Sequence, residues 1–159
     1  MKLTFDNGRA QDKAMEELLF NAAELVLSHN EVFSSNIEIS VSFVDEEEIK
    51  RINTEYRDVA RATDVLSFPM FDDLDAMKGA LKQTPKNREI LLGDVIICES
   101  IAEKQAVEYG HSLNREITYL FVHSMLHLLG YTHEYSEDDR RVMRIAEEEV
   151  MQKLGLSRN

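Results

Sequence analysis

The 159-residue sequence has one cysteine, two prolines, six glycines and no tryptophan. A single cysteine excludes an internal disulfide and fits a reducing compartment, so we expect a cytoplasmic protein. No linker rich in proline or glycine divides the chain, and no apolar run approaches the roughly 20 residues of a membrane span. The N-terminal residues also lack the apolar stretch of a signal peptide. We therefore expect a single domain, residues 1–159, with no membrane partner.

Positive charge is also scarce, because 18 Lys and Arg stand against 30 Asp and Glu, for a net charge of −12. This balance argues against broad, non-specific binding of nucleic acid, which needs cationic side chains along the phosphate backbone. The charge is unevenly distributed, since residues 134–149 are strongly acidic whereas residues 61–90 are balanced. Within 61–90, Lys78, Lys82, Lys86 and Arg88 form a basic cluster that predicts either an RNA contact or a solvated loop.

Hydrophobic spacing predicts four strands. Residues 37–43 alternate apolar and polar side chains, which is typical of a half-buried strand. Residues 2–6, 63–68 and 90–98 are predicted as the other three. Residues 72–88 lack a firm period and contain Gly79 and Pro85, so they are predicted as a long loop.

Helical spacing predicts about five helices. The first covers residues 12–28, and the second begins at Asp45 with Ile49, Ile52 and Tyr56 on its inner face. The remaining three are predicted to begin near residues 100, 112–114 and 136. The fold class is therefore α+β, with one small mixed sheet of about four strands packed on these helices.

The most informative feature is the run His-Ser-Met-Leu-His-Leu-Leu-Gly-Tyr-Thr-His at residues 123–133. His123 and His127 are four residues apart, so a helix places both imidazoles on one face. Gly130 follows, where a helix can end with a positive φ and the chain can return His133 to the same point. Three neutral imidazoles that leave a fourth position for water are typical of a catalytic zinc site. The spacing therefore predicts one Zn²⁺ per chain, held by His123, His127 and His133 in a helix like that of zinc hydrolases.

A class of zinc proteases has the same histidine spacing, with a glutamate base directly after the first histidine. Here that position holds Ser124, whose hydroxyl cannot take a proton from water near neutral pH. The sequence therefore predicts the metal site of the proteases without their peptide chemistry.

Three motifs together resemble the YbeY family, the bacterial metal-dependent endoribonucleases of ribosome and rRNA maturation. The histidine run is similar to the family's His-Gly-x-Leu-His-Leu-x-Gly-Tyr-Asp-His, except that Ser124 replaces glycine and Thr132 replaces aspartate. The family's Asn-x-x-Tyr-Arg, followed by Thr-Asp-Val-Leu-Ser-Phe-Pro, corresponds to residues 53–57 and 63–69. A Leu-Gly-Asp motif corresponds to residues 92–94. The motifs occur in the family's order and span most of the chain.

The resemblance implies a zinc-dependent, single-strand-specific endoribonuclease that acts in rRNA processing, at the 3′ end of small-subunit rRNA, and in ribosome quality control. It implies a single-stranded rRNA precursor, the small ribosomal subunit or its proteins, and assembly factors as partners. Arg57 and His123 would be catalytic, and Arg57, Asn53 and Ser67 would bind substrate. Arg57 suits this role because a guanidinium binds phosphate oxygens in a fork, although a solvated arginine at a helix end is the plainer alternative. Thr132 would remove a carboxylate that could orient a metal ligand.

Two other functions remain open on the sequence. The chain could be a zinc hydrolase of another class, such as a peptidase, although Ser124 counts against this. It could also be a non-catalytic ribosome-assembly module with a structural zinc. No residue stands out as a general base, so zinc-bound hydroxide and the RNA 2′-hydroxyl are both candidate nucleophiles.

Overall fold

The structure, a computed structural model, describes residues 1–6, 12–132 and 134–157. The described residues form four strands, β1 (Lys2–Asp6), β2 (Ile37–Val44), β3 (Val65–Pro69) and β4 (Ile90–Cys98). They also form six helices, α1 (Lys13–His29), α2 (Glu46–Arg57), α3 (Leu74–Gln83), α4 (Glu99–Tyr109), α5 (Leu113–Leu128) and α6 (Glu137–Lys153). The predicted α+β fold class is confirmed. Among the described residues, no helix is long and apolar enough to span a bilayer.

The four strands form one mixed sheet in the order β1-β2-β4-β3. β2 pairs in parallel with both β1 and β4, and β3 pairs with β4 in the antiparallel direction. β3 therefore lies at an edge of this sheet, and among the described residues no strand pairs with its outer side.

Helices cover both faces of the sheet. On one face, the inward side chains of β2 pack with α1 and α5 in the main core, and most residues of α5 are buried. On the other face, Ile49 and Ile52 of α2 pack against Leu66 of β3 and Cys98 of β4. The edge strand β3 thus lies between the C-terminal end of α2 and the helix that carries the two histidines.

The prediction of a loop over residues 72–88 is wrong, because α3 occupies ten of these residues, Leu74–Gln83. Asp73 caps this helix by accepting a hydrogen bond from the Ala76 backbone N–H at 2.8 Å. Met77 and Leu81, one turn apart, are buried in the main core. Only two side chains of this ten-residue helix are buried, and two residues are too few to reveal a helical period in the sequence.

The prediction that Tyr56 lies on the inner face of α2 is also wrong. Its side chain is 66% exposed, whereas Ile49 and Ile52 are buried as predicted. Tyr56 is the penultimate residue of α2, and the helix ends at Arg57 before Asp58 adopts a left-handed conformation. Helical spacing could not show that the last turn of α2 lies at the surface, where the Tyr56 ring contacts Phe68 of β3 but stays mostly exposed.

Gly93 allows β4 to approach both of its neighbours closely. A Cβ at this position would clash with the Phe68 carbonyl oxygen of β3 and would lie 2.7 Å from the Leu128 side chain of α5. Its φ of +153° is also one that L residues rarely adopt. The glycine of the Leu-Gly-Asp motif therefore sets the spacing between the edge strand and the histidine helix.

Candidate active site

Helix α5 brings His123 and His127 together as the sequence predicts. Ser112 caps the helix by accepting a hydrogen bond from the Arg115 backbone N–H at 3.1 Å. The two histidines lie one turn apart, with ring centroids 4.6 Å apart and planes nearly perpendicular. Their Nε2 atoms are 3.1 Å apart, so both point to the same small volume.

The other nitrogen of each imidazole contacts a separate oxygen. His127 Nδ1 lies 2.9 Å from the Tyr131 backbone carbonyl oxygen. His123 Nδ1 lies 2.9 Å from Oε2 of Glu147, a buried carboxylate on α6. A carbonyl or carboxylate oxygen accepts, so each Nδ1 carries the hydrogen and each Nε2 of a neutral ring presents its lone pair. Two lone pairs directed at one point suit a cation, and this carboxylate–histidine arrangement is typical of metal ligands.

The described residues thus supply two imidazole ligands and their supporting hydrogen bonds. His133, the third predicted ligand, lies outside the described residues. Without it, the described part of the chain has no group of three His, Cys, Asp or Glu side chains suited to a metal. Two convergent imidazoles with oriented rings fit a zinc site, and the three-histidine set stays a prediction.

The turn after α5 is fixed by Gly130 and Tyr131. Gly130 has a φ of +96° and lies against the backbone of Asp73, where a Cβ would be 3.1 Å from Asp73 Cα. The Tyr131 hydroxyl donates to Asn30 Oδ1 of the α1 C-cap at 2.9 Å. Burial raises the pKa of this phenol, which keeps it protonated as a donor. These contacts hold the Tyr131 carbonyl in place to orient His127.

His123 and His127 line a cleft of about 750 Å³. One wall is the edge strand β3 with the residues just before it, and the opposite wall is α5. The lining of the cleft includes two arginines, Arg57 and Arg61, and two acidic side chains, Asp64 and Glu134. The cleft therefore has cations on the α2 side, although the chain as a whole is acidic.

Arg57, the predicted phosphate ligand, lines this cleft at the end of α2. Its Nη2 donates to the Ser67 carbonyl oxygen at 3.0 Å, and its guanidinium carbon lies 5.7 Å from the centre of the Phe68 ring. Both contacts orient the guanidinium, and the second is a cation–π contact. Arg57 is thus a held side chain on the cleft wall rather than a freely solvated arginine.

Asn53 and Ser67 also line the cleft, but their side chains make structural contacts. Asn53 is buried, and its Nδ2 donates to the Arg61 carbonyl oxygen at 3.0 Å, which closes the loop after α2. The Ser67 and Ser124 hydroxyls are buried and hydrogen-bonded to each other at 2.6 Å. Ser124, which replaces the family's glycine, thereby ties the histidine helix to the edge strand. Substrate binding by Asn53 and Ser67 stays a prediction.

Glu147 is the site residue that sequence reasoning missed. It lies in the acidic segment 134–149, where one more carboxylate does not stand out. A signal was nevertheless present, because Glu147 is one turn from Met143 and next to Ala146, both buried on the inner face of α6. A carboxylate on an apolar helix face requires a partner, and here the partner is His123. The structure therefore assigns the orientation of His123 to a carboxylate of α6.

Comparison with known proteins agrees with the geometry. The sequence profile described as endoribonuclease YbeY matches residues 4–155. The chain belongs to the endoribonuclease YbeY family. Membership places it among the enzymes that cleave RNA internally.

Individual relatives match along nearly their whole length. A protein named endoribonuclease YbeY from Thermoanaerobacter sp. (strain X514) is 44% identical over 99% of this chain and 100% of its own. One of the same name from Clostridioides difficile (strain 630) is 38% identical over 99% of each chain. The solution structure of TM1509 from Thermotoga maritima is similar in fold, with a TM-score of 0.59 and 27% identity over 96% of this chain and 91% of that one.

Proposed function

We propose that this member of the family is a zinc-dependent endoribonuclease that cleaves single-stranded ribosomal RNA precursors, at the 3′ end of the small-subunit rRNA, in the cytoplasm. The same activity would serve ribosome quality control. The observation that carries the metal dependence is the 3.1 Å separation of the His123 and His127 Nε2 atoms, with both Nδ1 atoms held by oxygens. Arg57 on the facing wall of the same cleft supports a phosphate-bearing substrate.

The chain's own residues supply binding and charge stabilisation. A phosphodiester undergoing cleavage accumulates negative charge on its phosphoryl oxygens, and a fixed cation aimed at them lowers the barrier. The Ser67 carbonyl and the Phe68 ring hold Arg57 in such a position before substrate arrives. When bound, zinc supplies Lewis-acid chemistry and makes water a better nucleophile near neutral pH. His123 and His127, oriented through their Nδ1 atoms, would hold that ion at the cleft floor.

One experiment compares RNA cleavage with the peptide cleavage expected of a zinc peptidase. The protein is incubated with single-stranded RNA, duplex RNA and casein, each with zinc and with a chelator. We expect metal-dependent cleavage of the single-stranded RNA alone. Metal-dependent casein cleavage would replace the proposal with a peptidase. If none of the three is cleaved although zinc is bound, the non-catalytic assembly module becomes the better account.

Arg57→Lys is expected to lower RNA cleavage by about tenfold or more, the order of one lost charged contact. Lysine keeps the charge but has no planar fork to bind two phosphoryl oxygens. It also cannot reproduce the held geometry over Phe68. The measurement is the single-turnover cleavage rate on a short single-stranded RNA, with zinc content and melting temperature compared with the wild type.

Arg51→Lys is the matched control on the same helix, since Arg51 is exposed and pairs with Glu48 and Glu55 rather than lining the cleft. It should cleave at the wild-type rate. If Arg57→Lys also cleaves at that rate, Arg57 has no role in the reaction.

Delivery by a ribosomal partner is the second part of the proposal. Of the three arginines on α6, Arg140 and Arg141 pair within the helix with Glu137 and Asp138. The net charge of −12 opposes the approach of RNA, and the described lining of the cleft offers Arg57 and Arg61 as the cations that could release counterions on binding. A small-subunit protein or an assembly factor would bring the enzyme to its rRNA site.

We expect the isolated protein to cleave short single-stranded RNA slowly and with little sequence choice, and ribosomal particles to focus the cuts. The measurement is a cleavage map with and without small-subunit particles, beside a salt titration of RNA binding. A shallow salt dependence would match the few phosphate contacts. Tight, sequence-selective binding by the isolated protein would contradict the need for a partner.

A further inference from the structure

The end of α2 carries an exposed aromatic ring that the metal site does not use. The Tyr56 side chain is 66% exposed. The ring packs against Phe68 of β3 in an edge-on arrangement, with centroids 5.7 Å apart and an interplanar angle of 69°. This contact orients the ring and leaves most of it open to solvent.

Phe68 links the Tyr56 ring to Arg57. Its ring centroid lies 5.7 Å from that of Tyr56 and 5.7 Å from the Arg57 guanidinium carbon. Arg57 in turn lies on the cleft wall and donates to the Ser67 carbonyl oxygen. A ligand phosphate held by Arg57 would thus have an oriented aromatic surface beside it, outside the metal site.

A cation that binds phosphate beside an aromatic surface matches a nucleotide, which carries a phosphate and a flat base close together. Unpaired bases stack on tyrosine and phenylalanine rings, and this contact tolerates any base because each has a π face. Bases within a duplex are already stacked on their neighbours and are not available for it. An aromatic surface also adds affinity without positive charge, which matters for a chain with a net charge of −12.

We propose that Tyr56, held by Phe68, is a stacking platform for one unpaired nucleobase of the substrate, adjacent to the phosphate that Arg57 contacts. The inference deepens the proposed function, on which it rests, and gives a structural origin for single-strand preference. Tyr56 is on this account a substrate-binding residue, while Phe68 positions both Tyr56 and Arg57.

The test combines a protein substitution with a missing base. Tyr56→Leu and wild type are titrated, with zinc bound, against a short single-stranded RNA and against copies that each lack one base. Wild type should lose about tenfold in affinity at one abasic position, the order of one lost stacking contact. Tyr56→Leu should bind the intact RNA about tenfold more weakly and be insensitive to the abasic site at that position.

Two further measurements separate stacking from general damage. Tyr56→Phe, which keeps the ring and loses the hydroxyl, should bind the intact RNA like wild type and keep its sensitivity to the abasic position. The salt dependence of binding should be unchanged in Tyr56→Leu, because no phosphate contact is lost. Tyr109→Leu is the matched control, since Tyr109 is 56% exposed at the end of α4 and does not line the cleft.

The outcomes distinguish this inference from the proposed function. The platform is overturned, whether or not the RNA is cleaved, if wild type is sensitive to no abasic position. It is also overturned if Tyr56→Leu binds intact RNA as tightly as wild type or keeps the wild-type sensitivity at the abasic position. If stacking is observed but neither wild type nor Tyr109→Leu cleaves the RNA with zinc, the platform stands and the proposed endoribonuclease reaction fails.

Discussion

Replacing His127 with alanine is expected to abolish zinc binding and RNA cleavage together. The wild-type protein, purified without chelator, should contain close to one zinc per chain, and His127→Ala close to none. The reason is geometric, because the Nε2 atoms of His123 and His127 are 3.1 Å apart and direct their lone pairs at the same point. Removing one imidazole leaves too few ligands for a three-histidine zinc site. The measurement is elemental analysis of the purified proteins, followed by cleavage of a single-stranded RNA.

His29→Ala is the control, because His29 ends α1 and pairs with Glu149 at 3.0 Å instead of lining the cleft. It should retain its zinc and its activity. Circular dichroism should show the same helix content in both variants, since the His127 side chain contributes little to the core. Undiminished zinc in a folded His127→Ala protein would show that the metal, if present, is held elsewhere.

The convergence of His123 and His127 was the part of the site that the sequence could predict, because helical geometry relates residues four apart without knowledge of the fold. The position of Arg57 could be placed only by its motif. Its orientation depends on the Ser67 carbonyl and the Phe68 ring, which reach it through the packing of α2 on β3. Contacts between elements distant in sequence have no local period that would reveal them.

The errors in the fold have the same origin. α3 was missed because its apolar stripe has only two buried residues, and what stabilises it is the main core beneath. Tyr56 was predicted to be buried because it continues the spacing of Ile49 and Ile52, but its ring contacts Phe68 of the edge strand from the end of α2 and stays 66% exposed. All four strands were predicted, and the alternation predicted for residues 37–43 is confirmed by the burial pattern of β2, because a period of two is visible even in a short segment.

Glu147→Ala is expected to weaken zinc binding by about ten- to a hundredfold, the usual effect of losing a group that orients a metal ligand. Glu147 Oε2 accepts from His123 Nδ1 at 2.9 Å and so fixes both the tautomer and the rotation of that ring. Without it, the ring can rotate and its Nε2 is no longer held toward His127. The measurement is the apparent zinc dissociation constant by competition with a chelating indicator.

Glu147→Gln separates orientation from charge, because the amide oxygen can still accept from Nδ1 but has no negative charge to make the imidazole a better ligand. We expect zinc affinity between those of wild type and Glu147→Ala. Cobalt(II) substitution reports the geometry independently of activity, and its absorption spectrum should be near that of wild type in Glu147→Gln and altered in Glu147→Ala. Glu148→Ala, the exposed neighbour on the same helix, should match wild type in both measurements. Wild-type zinc affinity in Glu147→Ala would mean that this carboxylate stabilises only the packing of α6 and does not support the metal site.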